Sequence, residues 1–479
     1  MVNRIVIKRV VSSTVVGAVA MILAACAVGP NYKAPPEVGM QKQFVGAEAT
    51  AFNNTDSDLS RFWTVFGDEQ LNKLVNRALY MNHDLRIALA RLNESRALRG
   101  AAVFDLLPTL GAGGGYTDQR LSVSQAAGGP RALKGYDASF DASWELDFFG
   151  RNRRALEASN ADLQAAEASL GDVEVSVIAE LSRNYFELRG DQQRLAVAQR
   201  NVENQTQTLA LTQARLDSGA GTELDTSRAQ AQLSVTRASI GPLQAAVARS
   251  IHAISVLSGL EPEALRSELE LPVDLPAVPE ITAVADPAQL LRRRPDIRVS
   301  ERELASTTAR IGVAVADLFP RVTFNGSLGF AATRLGDLGD SGSDTHLIAP
   351  GISWGIFDLG HIRARINAAH ARNDGALATY EQTVLRALQE TEDALVTHAR
   401  ERDRLQELTQ AASSSQTAAR LARLRYENGA VDFLQVLDAE RSQLQAEDSL
   451  AESRAETATS LVAVYKALGG GWVAPATGG

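Results

Sequence analysis

Cys26 is the only thiol in the sequence, and with no second cysteine it closes no internal disulfide. Arg4, Lys8 and Arg9 precede it, followed by an apolar run from Val15 to Ala25 that ends Leu23-Ala24-Ala25. A basic stretch, a short apolar stretch and small residues before a cleavage point make a secretory signal, too short and wrongly flanked to span a membrane. A cysteine directly after Leu-Ala-Ala matches a bacterial lipobox, whose thiol is acylated and becomes the mature terminus. The chemistry expected at Cys26 is therefore lipidation, each buried CH₂ adding about 0.8 kcal/mol of membrane affinity. Ala27 rather than Asp follows, which by analogy with such lipoproteins directs the chain to the outer membrane.

Other reactive residue types form no constellation. The six histidines lack ligand spacing, and four methionines are too few for a copper relay. Gly111-Ala112-Gly113-Gly114-Gly115 opens no helix, so it is no phosphate cradle. Arg292 to Arg294 read as capping and orienting a helix. Removing the signal leaves 45 basic against 57 acidic residues with no basic stripe, which excludes nucleic acid as a partner. Catalytic, cofactor and metal sites are not expected.

The acidic residues that do form a pattern lie in Tyr136 to Phe148. Apolar Tyr136, Ala138, Phe140, Ala142, Trp144, Leu146 and Phe148 alternate with Asp137, Ser139, Asp141, Ser143, Glu145 and Asp147. A strand sends successive side chains to opposite faces, so this one has a greasy face and an acidic face. Gly150 ends it, and a helical pattern then runs from Arg151 to about Leu216, roughly 100 Å at 1.5 Å per residue. Leu156, Leu163, Leu170 and Val177 are spaced by seven. After one step of four, Leu181, Leu188, Leu195, Val202, Leu209 and Leu216 resume that spacing. Such a repeat marks helices that coil around neighbours.

The pattern occurs twice. Residues 82–108 and 294–320 align without a gap and share ten identities in twenty-seven, among them Asp84/Asp296, Gly100/Gly312 and Pro108/Pro320. Each copy predicts a helix stopped by proline. Strand candidates follow at 110–122 and 322–330, each leading through a polar loop to a second strand. Ile348, Ile352, Trp354 and Ile356 form the apolar face of the fourth strand. A second long helix is expected at 362–427. Both long helices turn at glycine tips, Gly219-Ala220 and Gly429-Ala430, and return over about 223–258 and 433–468. No later segment has eighteen apolar residues in a row, so any membrane crossing falls to strands in a closed barrel. Four strands are too few, because such barrels start at about eight. Three copies would supply twelve, and four copies also satisfy the geometry.

The lipobox, Val28-Gly29-Pro30-Asn31-Tyr32, Phe62-Trp63-x-x-Phe66-Gly67-Asp68, Asn82-x-Asp84-Leu85, Leu291-Arg292-Arg293-Arg294-Pro295-Asp296-Ile297 and Asn428-Gly429-Ala430 occur in this order. Together they resemble the TolC-type outer-membrane factors, within them the lipoprotein branch serving resistance–nodulation–division efflux pumps. The resemblance covers roughly Cys26 to Leu468. It implies a mainly helical homotrimer with an internal two-fold repeat, a coiled-coil periplasmic tunnel and a shared twelve-strand barrel. It also implies a periplasmic adaptor and an inner-membrane pump as partners. On that frame, residues 1–25 are the signal and 26–80 the lipidated segment with part of an equatorial belt. Residues 81–260 and 288–468 are the repeats, 261–287 a proline-rich linker, and 469–479 a disordered tail. Asp137, Asp141, Glu145 and Asp147 are expected in the barrel lumen, and Phe140, Trp144, Ile352 and Trp354 toward lipid.

The family's tip gate of leucine and aspartate rings maps onto Leu434 and Asp438, and its tyrosine–aspartate latch onto Tyr426 and Asp225. Val431 stands at the latch arginine position and Gln435 at a second gate aspartate. Gly219, Ala220, Gly429 and Ala430 are the implied adaptor contacts. The implied function is an efflux duct that carries small molecules across the periplasm and outer membrane. A type I protein-secretion duct, or a poreless coiled-coil scaffold lipoprotein, are the alternative readings.

Overall fold

The structure is a computed structural model that describes residues 27–35, 59–126, 129–279 and 293–472. Cys26 and the signal segment lie outside the described residues. The chain divides into two compact units. One comprises Met1–Pro36, Arg91–Glu167 and Val299–Glu381, the other Glu37–Ala90, Ala168–Arg298 and Gln382–Gly479.

The elements follow the doubled plan. Helices α1 (Glu69–Met81) and α2 (His83–Phe104) precede β1 (Thr109–Arg120). A one-turn helix α3 (Val123–Ala126) leads to β2 (Ala132–Leu146), then α4 (Arg151–Asp217) and α5 (Glu223–Leu257). After the short α6 (Arg266–Leu269), the second copy runs α7 (Pro295–Ala316), β3 (Arg321–Ala332), β4 (Asp344–Ser353), α8 (Leu359–Glu427) and α9 (Phe433–Ala467). Helices α4 and α8 hold 67 and 69 residues, and each return helix holds 35.

Several motifs act as caps. Asn82 accepts from the Asp84 and Leu85 amides and donates to the Leu257 carbonyl, starting α2 while tying it to the end of α5. Asp68 accepts from the Gln70 and Leu71 amides, and its other oxygen takes the Tyr185 hydroxyl at 2.6 Å. Phe62, Trp63 and Phe66 fill the core of that unit with Tyr185, Phe186 and Tyr465. Arg294 explains the arginine run. It reaches Asp296 at the start of α7, Glu390 on α8, and the Ala467 carbonyl at the end of α9. A cation at a helix C-terminus is the favourable place for it.

Three expectations change. The ordered chain passes beyond Gly469: Trp472 is buried, and its indole donates to the Arg293 carbonyl at 3.0 Å. Residues 473–479 lie outside the described residues. Helix α8 starts at Leu359 rather than at 362, so Gly360 lies within its first turn, whereas Gly150 precedes α4 at φ 79°. The leucine seam of α4 is only partly buried at Leu156, Leu163, Leu195, Val202, Leu209 and Leu216. The seam is buried only in its middle, at Val177, Leu181 and Leu188; toward the two ends of α4 the enclosed residues are instead Ala158, Ala161, Ala165 and Ala168, and Asn201, Gln205, Thr208 and Thr212. Small side chains admit close helix approach, and of the polar ones Asn201 and Thr208 bond across it to α9. The leucines lie on flanks the chain itself does not fully cover.

Candidate functional site

The four strands form one antiparallel sheet in the order β1-β2-β3-β4, leaving one edge of β1 and one of β4 without a partner in the sheet. The register fixes which residues share a face. Phe140 stands opposite Ala112 and Leu328, Trp144 opposite Phe324, and Ile352 opposite Val322. Phe140, Leu328, Ile348 and Ile352 are all exposed in the single chain, although all are large and apolar. On the other face Asp137 stands opposite Gly115, and Asp141 opposite Gly111 and Ser327. The Ser143 hydroxyl donates to Asn325 Oδ1 there at 2.9 Å. A side chain at Gly115 would meet the Asp137 carboxylate at 2.7 Å, so the glycines of β1 leave room for the acids of β2. The alternation therefore holds across the sheet, interrupted on the polar face near the loop end by Leu133, Ala331 and Leu347.

Three of the four acids have local partners, Asp141 accepting from the Ser139 hydroxyl at 2.9 Å. Glu145 receives both a bidentate hydrogen bond and charge from Arg151, at 2.9 and 2.7 Å. Asp147 lies past the end of β2, where it accepts from the Arg153 amide at 2.9 Å and caps α4. Trp354 and Ile356 likewise lie past the end of β4 rather than within it. The two tryptophans close equivalent corners. Trp144 donates to the Leu106 carbonyl and Trp354 to that of Leu318, each at 3.0 Å. Those leucines occupy the same place in the two Asp-Leu-x-Pro repeats.

The Val28-Gly29-Pro30-Asn31-Tyr32 motif is a strap laid on this junction. Buried Arg154 gathers it, donating to the carbonyls of Val28 and Gly29 and to Asn31 Oδ1 at 3.1, 3.3 and 2.7 Å. Tyr32 donates to Glu301 at 2.8 Å. Burial first, then that hydrogen bond, raises its pKa above the ordinary phenol range. A side chain on Gly150 would strike Ala27 at 2.6 Å, so the residue after Cys26 sits at the point where strand becomes helix. Arg154 was not evident from sequence as a site residue. Its signal is a basic cluster, Arg151, Arg153 and Arg154, in the first turn of a helix, where the dipole disfavours cations.

The second candidate region is the pair of tips. Gly219 (φ 76°) and Gly429 (φ 72°) adopt the left-handed conformation that ends α4 and α8. The amides of Ala220 and Ala430 close equivalent turns on Arg215 and Arg425. Thr222 caps α5 and Asp432 caps α9. Gly219, Ala220, Gly429 and Ala430 are all exposed. On α9, Leu434 is 53% exposed, and Asp438, one turn further, is exposed on the same side. Leu434 is therefore not a core leucine within the chain.

Tyr426 is buried, with its ring centroid 5.6 Å from that of Phe433. Its close polar neighbour is Arg215, whose guanidinium lies 4.6 Å from the ring centroid and donates to the Tyr426 carbonyl at 2.7 Å. Burial raises the Tyr426 pKa while Arg215 opposes the rise. The Asp225 carboxylate accepts from its own cap, Thr222, at 2.7 Å.

A family model described as outer membrane efflux protein matches residues 74–260 and 287–470. Nodulation protein T of Rhizobium leguminosarum bv. trifolii is 32% identical over 458 residues, covering 94% of this chain and 96% of the relative. Outer membrane protein OprJ of Pseudomonas aeruginosa is 31% identical over 457 residues, covering 95% of each. Among solved structures, the outer-membrane channel OprN matches with a TM-score of 0.87 at 43% identity, covering 93% of this chain and 100% of that one.

Proposed function

The chain belongs to the outer membrane efflux protein family, and on that premise we propose that three copies form a gated duct for small molecules. The observation that carries this reading is a sheet with one apolar and one polar face whose two outer edges stay unpaired. In lipid an open edge is prohibitively costly, so the sheet closes only by pairing with other copies. Four strands per chain and a lower limit of about eight for a spanning barrel require sharing, and three copies give twelve. Closure turns Phe140, Trp144 and Ile352 toward hydrocarbon and Asp137 and Asp141 toward the lumen. Trp354, beyond β4, belongs at the interface where an indole keeps one end wet. Helix α5 supports assembly independently, being long and apolar yet mostly not buried in the single chain.

The work of this duct is passive conduction, with no covalent step assigned to the protein. An inner-membrane pump would supply the compounds, and a periplasmic adaptor would engage the exposed turns at Gly219-Ala220 and Gly429-Ala430. Three-fold symmetry would gather Leu434 and Asp438 into rings. Apposed carboxylates repel one another, and a leucine ring hinders ions by dewetting. The exposure of Leu434 supports this role, because no packing within the chain accounts for a leucine there. Planar-bilayer recording tests it: Leu434→Ala with Asp438→Ala should raise single-channel conductance several-fold, and an unchanged conductance removes the gate from these residues.

A further inference from the structure

We propose that the tip is held shut by a latch made by Arg215 and Glu440, in place of the Tyr426–Asp225 pair. The proposal rests on reading the tip as a gate, and it names the contacts that must part for the gate to open.

Helix α4 meets the α8–α9 hairpin through one polar residue in every seven. Arg194 donates to both oxygens of Asp448, at 2.8 and 3.0 Å, and lies 3.4 Å from Glu452. Seven residues on, Asn201 donates to Glu447 at 3.4 Å. Seven further, Thr208 donates to Glu440 at 2.7 Å. After seven more, Arg215 donates to the Tyr426 carbonyl and covers its ring. This seam lies one residue to the side of the leucine seam. A seven-residue period keeps a single face of α4 toward its neighbour along this whole stretch.

The Thr208–Glu440 rung is enclosed on both sides. Glu440 is 4% exposed, and a single oxygen of its carboxylate takes Thr208 of α4 and Arg423 of α8, each at 2.7 Å. That oxygen ties three helices. A buried carboxylate stripped of these donors would be costly unless water entered, so the rungs are either made or fully hydrated. This is two-state behaviour at the tip. The bidentate Arg194–Asp448 pair, farthest from the turns, serves as the pivot.

The other half of the chain is an internal control. Gln230 of α5 occupies the position of Glu440, and it bonds only to Ser234 on its own helix, at 3.2 Å. Gly241-Pro242 lies within α5 where α9 carries Ala451-Glu452. Among the described residues, α5 has no ion pair to α4, α8 or α9. The latch therefore joins α4 to the α8–α9 hairpin, the hairpin that bears Leu434 and Asp438.

Bilayer recordings on the full-length chain compare three variants with the unaltered protein. Arg215→Met with Glu440→Gln should raise the open fraction at least about tenfold, the shift expected on losing a charged hydrogen bond. Its trimer band on unheated gels should persist. Asp225→Asn should leave the open fraction within about twofold, since the hydrogen bond of that carboxylate is to its own cap, Thr222. Thr208→Val, which deletes a single hydroxyl, should give a smaller rise and stands in if the double variant fails to assemble. An open fraction unmoved by Thr208→Val and by Arg215→Met with Glu440→Gln, while Leu434→Ala with Asp438→Ala conducts, overturns the latch and leaves the gate. A rise with Asp225→Asn alone also overturns it. No rise in any variant, the Leu434/Asp438 pair included, sinks the gate reading as well.

Discussion

His398 shows how much a single buried ring can decide. It sits on α8 with Nδ1 2.9 Å from Ser460 Oγ of α9, and its Nε2 has no hydrogen-bond partner. Burial first, and then the charge of Arg402, lower its pKa from 6.5 to about 4. A histidine whose folded pKa lies below its unfolded value favours the fold while it is neutral. Its stabilisation is complete above about pH 6.5 and is lost as the pH falls from there toward 4. At about 1.4 kcal/mol for each tenfold change in proton affinity, the loss is on the order of 3 kcal/mol. Thermal melts at pH 7.5 and 4.5 check this against His398→Gln, which keeps a neutral partner for Ser460. The unaltered protein should lose markedly more stability on acidification than the variant. Equal losses would assign the acid sensitivity to other groups.

Helix bounds, turns and strand alternation were legible because each has a local cause. Proline at 108 and 320 stops a helix, glycine at 219 and 429 takes a positive φ, and polar residues alternate along β2. What was not legible is which flank of a long helix the chain covers for itself. Leu195, Val202, Leu209 and Leu216 look like a core seam, yet Asn201, Gln205, Thr208 and Thr212 are the buried ones. Sequence periodicity records every face that packs, whether against the same copy or another, and it does not separate them. The N-terminal strap escaped for a related reason. Its partners, Arg154 and Glu301, lie far along the chain.

Close packing also explains why α4 has glycine at 171. A side chain there would meet the Trp472 ring at 2.5 Å. Gly171→Ala should therefore displace the indole and cost about 1–3 kcal/mol by overpacking. With Trp472→Ala already in place, the same change should become neutral or stabilising, because alanine favours a helix over glycine by about 1 kcal/mol. Melting temperatures of the four combinations measure that reversal of sign. Additive losses would mean that Trp472 is not what keeps residue 171 small.

At the scale of the whole molecule, the sheet and the lipid proposed on Cys26 would attach the protein to the membrane at one level. The sheet provides an apolar face that only closure with other copies makes stable in lipid. The strap delivers Ala27 to Gly150, the junction where β2 gives way to α4. An acyl chain on Cys26, one residue away, would therefore enter the bilayer beside the foot of the barrel. It would brace the barrel while contributing nothing to strand pairing. Two consequences follow for Cys26→Ser in the full-length protein. Labelling by radioactive palmitate should disappear, since no other thiol exists to accept it. Trimers on unheated gels should persist, since the contacts of Arg154, Tyr32 and the four strands are untouched. Retained label would exclude Cys26 as the acceptor. Loss of label together with loss of trimers would make the lipid a participant in closure rather than a brace beside it.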